Sequence, residues 1–300
     1  MIILLLGKNG QVGWELQRSL APLGEVVALD RHTVDGLCGD LADFEALRVA
    51  IRRVKPDIIV NAAAYGAVDK AESEPELAVR VNGHAVQVLA EEAKQLDAWL
   101  IHYSTDYVFN GNGQQQWLED DAVGPVNQYG ISKLAGEQAI VASGCKYLIF
   151  RTSWVYASRG SNFARTMLRL ASEQKVLSVI ADQVGAPTGA DLIADITAHA
   201  ILRVKQRPQL QGLYHLAASG EVSWHGYASY VLEFARVAGK QLEVTNIVPI
   251  NTESYPTPAR RPRNSRLNTQ KLRNSFSLCL PDWQSGVTRM LMEILNNDNE

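Results

Sequence analysis

The chain has 300 residues, 46% of them hydrophobic and 20% charged, with a formal net charge of -3. That length exceeds what a single core usually organises, so a large unit with a smaller lobe is expected. The balanced charge offers no broad basic field for nucleic acid or an anionic membrane. Cys38, Cys145 and Cys279 lack the paired spacing of a zinc or redox site. Every apolar run is cut short of the roughly 20 residues that a membrane span needs. A soluble, cytoplasmic protein in a reducing compartment is expected.

In chain order, short apolar runs recur at 2–6, 26–29, 58–60, 99–101 and 148–150, each suited to a strand buried on both faces. Between them apolar residues return at helical spacing: Val12, Leu16, Leu20 and Leu23, then Leu77, Val81, Val88 and Leu89 within 75–96. Strand and helix alternating at this pace predict an α/β fold, a Rossmann-type doubly wound parallel sheet. Beyond Arg151 the rhythm loosens, although 162–172, 191–204, 224–238 and 281–295 still read as helices. A smaller C-terminal α/β lobe for the substrate follows. The expected division gives 1–150 and about 176–215 to an NAD(P)-binding unit, and about 151–175 and 216–300 to the substrate lobe.

The first strand runs into Gly7-Lys8-Asn9-Gly10-Gln11-Val12-Gly13, directly before a helix. Gly7 and Gly10 let the backbone approach a pyrophosphate, the helix start at Gln11 and Val12 supplies free N–H groups, and Gly13 allows close helix–sheet packing. Asp30 closes the second strand where a carboxylate would meet the adenosine ribose. Arg31 follows it and suits the extra phosphate of NADP, so the choice between NADH and NADPH stays open. Asp40, after the next loop, is placed to accept from the adenine amino group.

The fourth strand leads to Thr105 at its carboxyl end, where open parallel sheets place their sites. Some two dozen positions on come Tyr129 and Lys133. Four apart on a helix they share a face, so the ammonium can lower the phenol pKa from about 10 toward working pH. Tyr129 can then give a proton to a carbonyl oxygen as hydride reaches its carbon, while Thr105 hydrogen-bonds the same oxygen. Lys133 would also hold the nicotinamide ribose.

In these residues the chain resembles the extended short-chain dehydrogenase/reductases that act on nucleotide sugars, and within them the dTDP-4-dehydrorhamnose reductase branch. The likeness runs through GKNGQVG at Gly7, VNAAAYGAVDKAE from Val60, YSTDYVFNG from Tyr103, YGISKLAGE from Tyr129, FRTSWVY from Phe150, GAPTG from Gly185 and YPTPARRPRNSRL from Tyr255. It implies reduction of the C4 ketone of dTDP-4-dehydro-L-rhamnose to dTDP-L-rhamnose, a precursor of cell-surface polysaccharide such as O-antigen. It also sets Leu41, Ala63, Ala64, Tyr65 and Tyr103 along the cofactor. Relatives commonly carry His-Thr where this chain has Tyr65-Gly66, which bears on the choice of cofactor.

The resemblance implies that Asp106 meets a sugar hydroxyl and that Trp154 packs against the deoxysugar. Dehydratases of this fold carry Asp-Glu after the Thr; here Tyr107 follows Asp106, so no neighbouring base serves elimination. Arg260, Arg261, Arg263 and Arg266 form a clamp from which one or two are expected on the substrate diphosphate. By likeness to magnesium-binding members, Glu15, Asp191 and Glu293 would hold Mg2+ at a homodimer contact. Two other readings share the fold: another nucleotide-sugar 4-reductase or an epimerase, and a non-catalytic regulatory subunit resembling the partner of methionine adenosyltransferase.

Overall fold

In strand β1 (Ile2–Leu6) side chains alternate between two cores, as a strand covered on both faces requires. Ile3 and Leu5 join Leu16 and Leu20 of helix α1 (Gln11–Leu20), Ile193 and Ile201 of the helix Ala190–Gln206, and Phe276. Leu4 and Leu6 join Leu47 and Ile51 of α2 (Phe44–Val54), Val86 and Leu89 of the helix Ala85–Gln95, and Ile140 of the helix Gln128–Ser143. The computed structural model describes residues 1–297.

The sheet adds β2 (Glu25–Leu29), β3 (Ile58–Asn61), β4 (Trp99–Thr105), β5 (Lys146–Thr152) and the strand Gly212–His215. All pairings are parallel, in the order Gly212–His215, β5, β4, β3, β1, β2. This is the doubly wound α/β architecture expected. The winding reverses between β1 and β3, and such a reversal leaves a crevice at the carboxyl ends of the strands. β4 and β5 outrun their apolar stretches because polar ends continue the ladder, with Thr105 paired to Thr152.

Three helices, Phe163–Glu173, Trp224–Val237 and Trp283–Asn297, build a second core around Met167, Leu168, Tyr227, Val231, Val287 and Leu291. One boundary differs from the sequence expectation. Val176–Ile180 pairs with Asn246–Ile250, away from the large sheet, and buries Leu177 and Val179 in this second core. Within the stretch 176–215, the helix Ala190–Gln206, Leu210 and the strand Gly212–His215 pack with the nucleotide-binding unit.

The helical pattern over 75–96 is interrupted by a π-helical segment, Arg80–His84. Its wider turn presents Asn82, which donates to Ser132 Oγ at 2.9 Å and to the Tyr65 carbonyl at 3.1 Å and accepts from the Tyr65 N–H at 2.8 Å. One side chain thereby ties the loop after β3 to the helix Gln128–Ser143; such bulges concentrate at functional sites. That helix is held to β5 by Arg151, whose guanidinium donates to both Glu137 carboxylate oxygens at 2.9 and 2.7 Å in a buried pair. Among the described residues no helix is long and apolar enough to cross a membrane.

Candidate active site

The glycine loop lies against the end of β3. Gly7 adopts φ +86°, and a Cβ there would stand 2.7 Å from the Ala63 nitrogen. A Cβ on Gly13 would collide with the Gly7 carbonyl oxygen. Neither position has room for a side chain, so the two backbones form an open cradle at the β1–β3 reversal. Gly10 caps α1 without a side-chain hydrogen bond, leaving the first N–H groups free of a side-chain acceptor. Gln11 Oε1 is buried there without a partner. This cradle fits a dinucleotide pyrophosphate. Gly13→Ala is expected to weaken binding of a nicotinamide dinucleotide by about tenfold or more, measured by nicotinamide fluorescence, with a lower melting temperature; unchanged binding would remove the cradle from any cofactor site.

Asp30 accepts from the His32 N–H at 2.8 Å and from Asn9 Nδ2 at 2.6 Å, with Lys8 Nζ at 3.8 Å. The backbone bond from His32 is the main reason its carboxyl is held below the usual range. Arg31 is exposed beside it. Asp40 accepts from the Ala42 N–H at 2.9 Å, and Leu41 is buried under α2. Ala63 donates its N–H to Asn61 Oδ1 at 3.2 Å, and Ala64 is exposed. The Tyr65 hydroxyl donates to Glu74 at 2.7 Å, which pins its ring. The Tyr103 ring is buried in the core under the helix Ala190–Gln206 and its hydroxyl bonds Thr197 Oγ1 at 2.8 Å, so its side chain does not line the cradle.

Asn127 starts the next helix by accepting from the Gly130 N–H at 2.8 Å, and this cap aims Tyr129 and Lys133 at the carboxyl end of β4. Thr105 Oγ1 donates to Asp106 Oδ1 at 3.2 Å and accepts the Tyr107 N–H at 3.2 Å, and Thr105 is near enough to Tyr129 to pull its phenol pKa down. Ser265 lies near enough to Asp106 to oppose the upward shift of its carboxyl, and Asp106 Oδ2 is buried without a partner. The Tyr107 ring meets Tyr129 edge-on, centroids 5.8 Å apart.

Burial dominates the electrostatics. It pushes the Asp106 carboxyl from 3.8 to about 7 and lowers Lys133 to about 8. Burial and the Asp106 charge push the Tyr129 phenol up to about 12, with the Thr105 hydrogen bond opposing them. A phenol lowered by Lys133 is therefore not what this arrangement displays: Lys133 Nζ lies 3.3 Å from His102 Nε2 instead.

Trp154, just past β5, has φ +49° and stacks on Trp224 with centroids 3.6 Å apart and 12° between planes. A left-handed tryptophan costs roughly 1–3 kcal/mol and persists only where its surroundings enforce it. Here those are Trp224 from the second lobe and the close backbone of Gly185. Trp224, Ser265, Asn82 and His102 escaped the sequence reading, although Ser265 falls in the NSRL motif and Asn82 is a polar residue inside an apolar helical pattern.

The arginine cluster separates. Arg261 pairs with Asp69 at 2.7 Å, Arg263 with Glu253 and with Asp182 at 3.3 Å, and Arg266 with Glu221 at 2.8 Å. Arg260 is exposed and has no ion pair among the described residues. Glu15, Asp191 and Glu293 line one cleft, as expected, but arginines supply its positive charge. Arg289 reaches Asp191 at 3.3 Å and Glu293 at 3.5 Å, and Arg18 reaches Glu15 at 3.7 Å. Within the single chain, no group of three acids, histidines or cysteines among the described residues is placed to hold a metal ion.

The family model described as RmlD substrate binding domain matches residues 1–296. The chain is 58% identical over 294 residues to a dTDP-4-dehydrorhamnose reductase of Escherichia coli (strain K12), covering 98% of each chain. It is 56% identical to that of Salmonella typhimurium, again with 98% of each covered. Among solved structures, the dTDP-4-dehydrorhamnose reductase of Bacillus anthracis in complex with NADP has a TM-score of 0.86 and 33% identity over 97% of this chain and 99% of that one. A whole-length match of this kind, with the glycine cradle and the Tyr129 helix in place, leaves no ambiguity of descent: the chain belongs to the RmlD substrate binding domain family.

Proposed function

We propose that the protein reduces the C4 ketone of dTDP-4-dehydro-L-rhamnose to dTDP-L-rhamnose with NADPH, making a sugar donor for cell-surface polysaccharide. The observation that carries this reading is the junction of Thr105, Tyr129 and Asp106 at the carboxyl end of β4, beside the glycine cradle. Relatives of 56–58% identity that bear the reductase name support the substrate, and the NADP in the Bacillus anthracis structure supports the cofactor. For the extra phosphate of NADPH, Asp30 is the obvious obstacle. Its charge is already engaged by His32, Asn9 and Lys8, and Arg31 stands next to it.

NADPH supplies a hydride to C4 when bound in the cradle. Tyr129 Oη gives its proton to the ketone oxygen, so that carbonyl, hydride and proton balance as a secondary alcohol. Thr105 Oγ1 hydrogen-bonds that oxygen and polarises it. A Lys133 ammonium released from His102 would stabilise the phenolate left behind. Asp106 holds a sugar hydroxyl, and its protonation near pH 7 withdraws the negative charge that keeps the Tyr129 phenol high. Trp154, braced by Trp224, packs against the deoxysugar, and Arg260 is the cluster member free to meet the diphosphate. Tyr107 occupies the place where a dehydratase carries its second carboxylate, which favours reduction over elimination.

The test is NADPH absorbance loss on addition of dTDP-4-dehydro-L-rhamnose, with the UDP sugar and NADH as comparisons. Consumption of one NADPH per ketone is expected, with the dTDP sugar preferred. A protein that binds NADPH and turns nothing over would favour the regulatory-subunit reading.

A further inference from the structure

His102 is a fully buried histidine of β4 that lies between two nitrogen donors. Its Nδ1 is 3.2 Å from Asn61 Nδ2 and its Nε2 is 3.3 Å from Lys133 Nζ. A neutral imidazole has one acceptor nitrogen and one N–H, so it cannot accept from both. The orientation of the Asn61 amide decides which nitrogen accepts. Asn61 Oδ1 takes the Ala63 N–H at 3.2 Å, and turning the amide would set its NH2 against that N–H. Asn61 therefore donates to Nδ1, the ring proton sits on Nε2, and that N–H points at Lys133 Nζ. An amine can accept it; an ammonium cannot.

We infer that His102 is a positioning residue whose tautomer is coupled to the protonation of Lys133: the Nε2–H form stabilises the neutral amine, and Lys133 can become an ammonium only as the ring proton moves to Nδ1 and the Asn61 amide turns. Burial points the same way for both partners. It holds His102 well below its ordinary value, so the ring stays neutral, and brings Lys133 down to about 8. Few charges face the pair. Glu137, one helical turn beyond Lys133, raises its pKa, but it is held by both arms of Arg151 from β5. If the reductase reading is right, on which this consequence alone rests, His102 and Asn61 set how much ammonium stands by to stabilise the Tyr129 phenolate.

The test needs neither substrate nor cofactor, so it succeeds or fails apart from the keto-sugar assay. Nitrogen-15 NMR of the His102 ring, assigned by its loss in His102→Phe, reports the tautomer, and carbon-13 at the lysine Cε, assigned with Lys133→Met, reports the ammonium. In the wild type the ring is expected to pass from Nε2–H to Nδ1–H as Lys133 takes its proton on acidification. In Asn61→Asp the carboxylate can accept both the Ala63 N–H and a His102 Nδ1–H. The ring should then stay Nδ1–H throughout, and the Lys133 midpoint should rise by a unit or more, tenfold in its proton affinity. A wild-type ring that keeps one tautomer through the Lys133 titration, or a midpoint unmoved in Asn61→Asp, overturns the inference.

Discussion

Replacing Tyr129 with Phe should lower kcat by about 10²–10⁴-fold, the range that a positioned proton donor contributes, while leaving NADPH binding and folding near the wild type. The phenyl ring keeps its edge contact with Tyr107, so packing changes little. What disappears is the hydroxyl that faces Thr105. Steady-state kinetics alongside fluorescence titration of NADPH check this. An intact kcat with normal folding would show that the ketone oxygen takes its proton elsewhere. Thr105→Val should lose less, because it removes one hydrogen bond to the same oxygen and leaves the donor in place.

Asp106→Asn should stabilise the protein at alkaline pH while reducing turnover. The wild-type carboxyl is buried and titrates near 7 against 3.8 in its ordinary state. Between those values the folded chain binds more protons than the unfolded chain, so stability falls as pH rises through the interval. The contribution is fully present below about pH 4 and lost above about pH 7. At about 1.4 kcal/mol per pH unit the loss is on the order of 4 kcal/mol. An asparagine does not ionise and escapes it, although its amide leaves an NH2 where Oδ2 now has no partner, which offsets part of the gain. Denaturant unfolding of both proteins from pH 4 to pH 9 should give curves that diverge with rising pH, the variant above. Parallel curves would mean that Asp106 does not titrate in this interval. Turnover should fall because a group meant to hold the sugar has changed, a trade between stability and activity common at active sites.

The parallel-strand runs at 2–6, 26–29 and 58–60 and the glycine cradle were legible because their signals are local: an apolar stretch buried on both faces, and glycines where backbones touch. The four-residue step from Tyr129 to Lys133 was equally local, but by itself it predicted a lowered phenol. In the structure burial and Asp106 act the other way, and Lys133 turns to His102. The direction of the Tyr103 ring follows from the period of two. Ile101 and Tyr103 point toward the helix Ala190–Gln206 while Leu100 joins the opposite core, an alternation the sequence does contain. His102, Asn82 and Trp224 were missed for a different reason. Each is defined by a partner far along the chain, namely Lys133, Ser132 and Trp154, and hydropathy says nothing of such meetings. Val176–Ile180 was assigned to the wrong unit on the same ground, since its partner strand begins at Asn246.

In the proposed reaction one hydride reaches C4 of a deoxysugar nucleotide and one proton comes from Tyr129. Reduction of dTDP-4-dehydro-L-rhamnose with [4,4-²H₂]NADPH, read by NMR of the product, tests it most directly. One deuterium is expected at C4 of dTDP-L-rhamnose for each NADPH oxidised, and in Tyr129→Phe the same stoichiometry at a rate lowered in proportion to kcat. A product without deuterium at C4, or NADPH recovered unoxidised while the sugar changes, would contradict it.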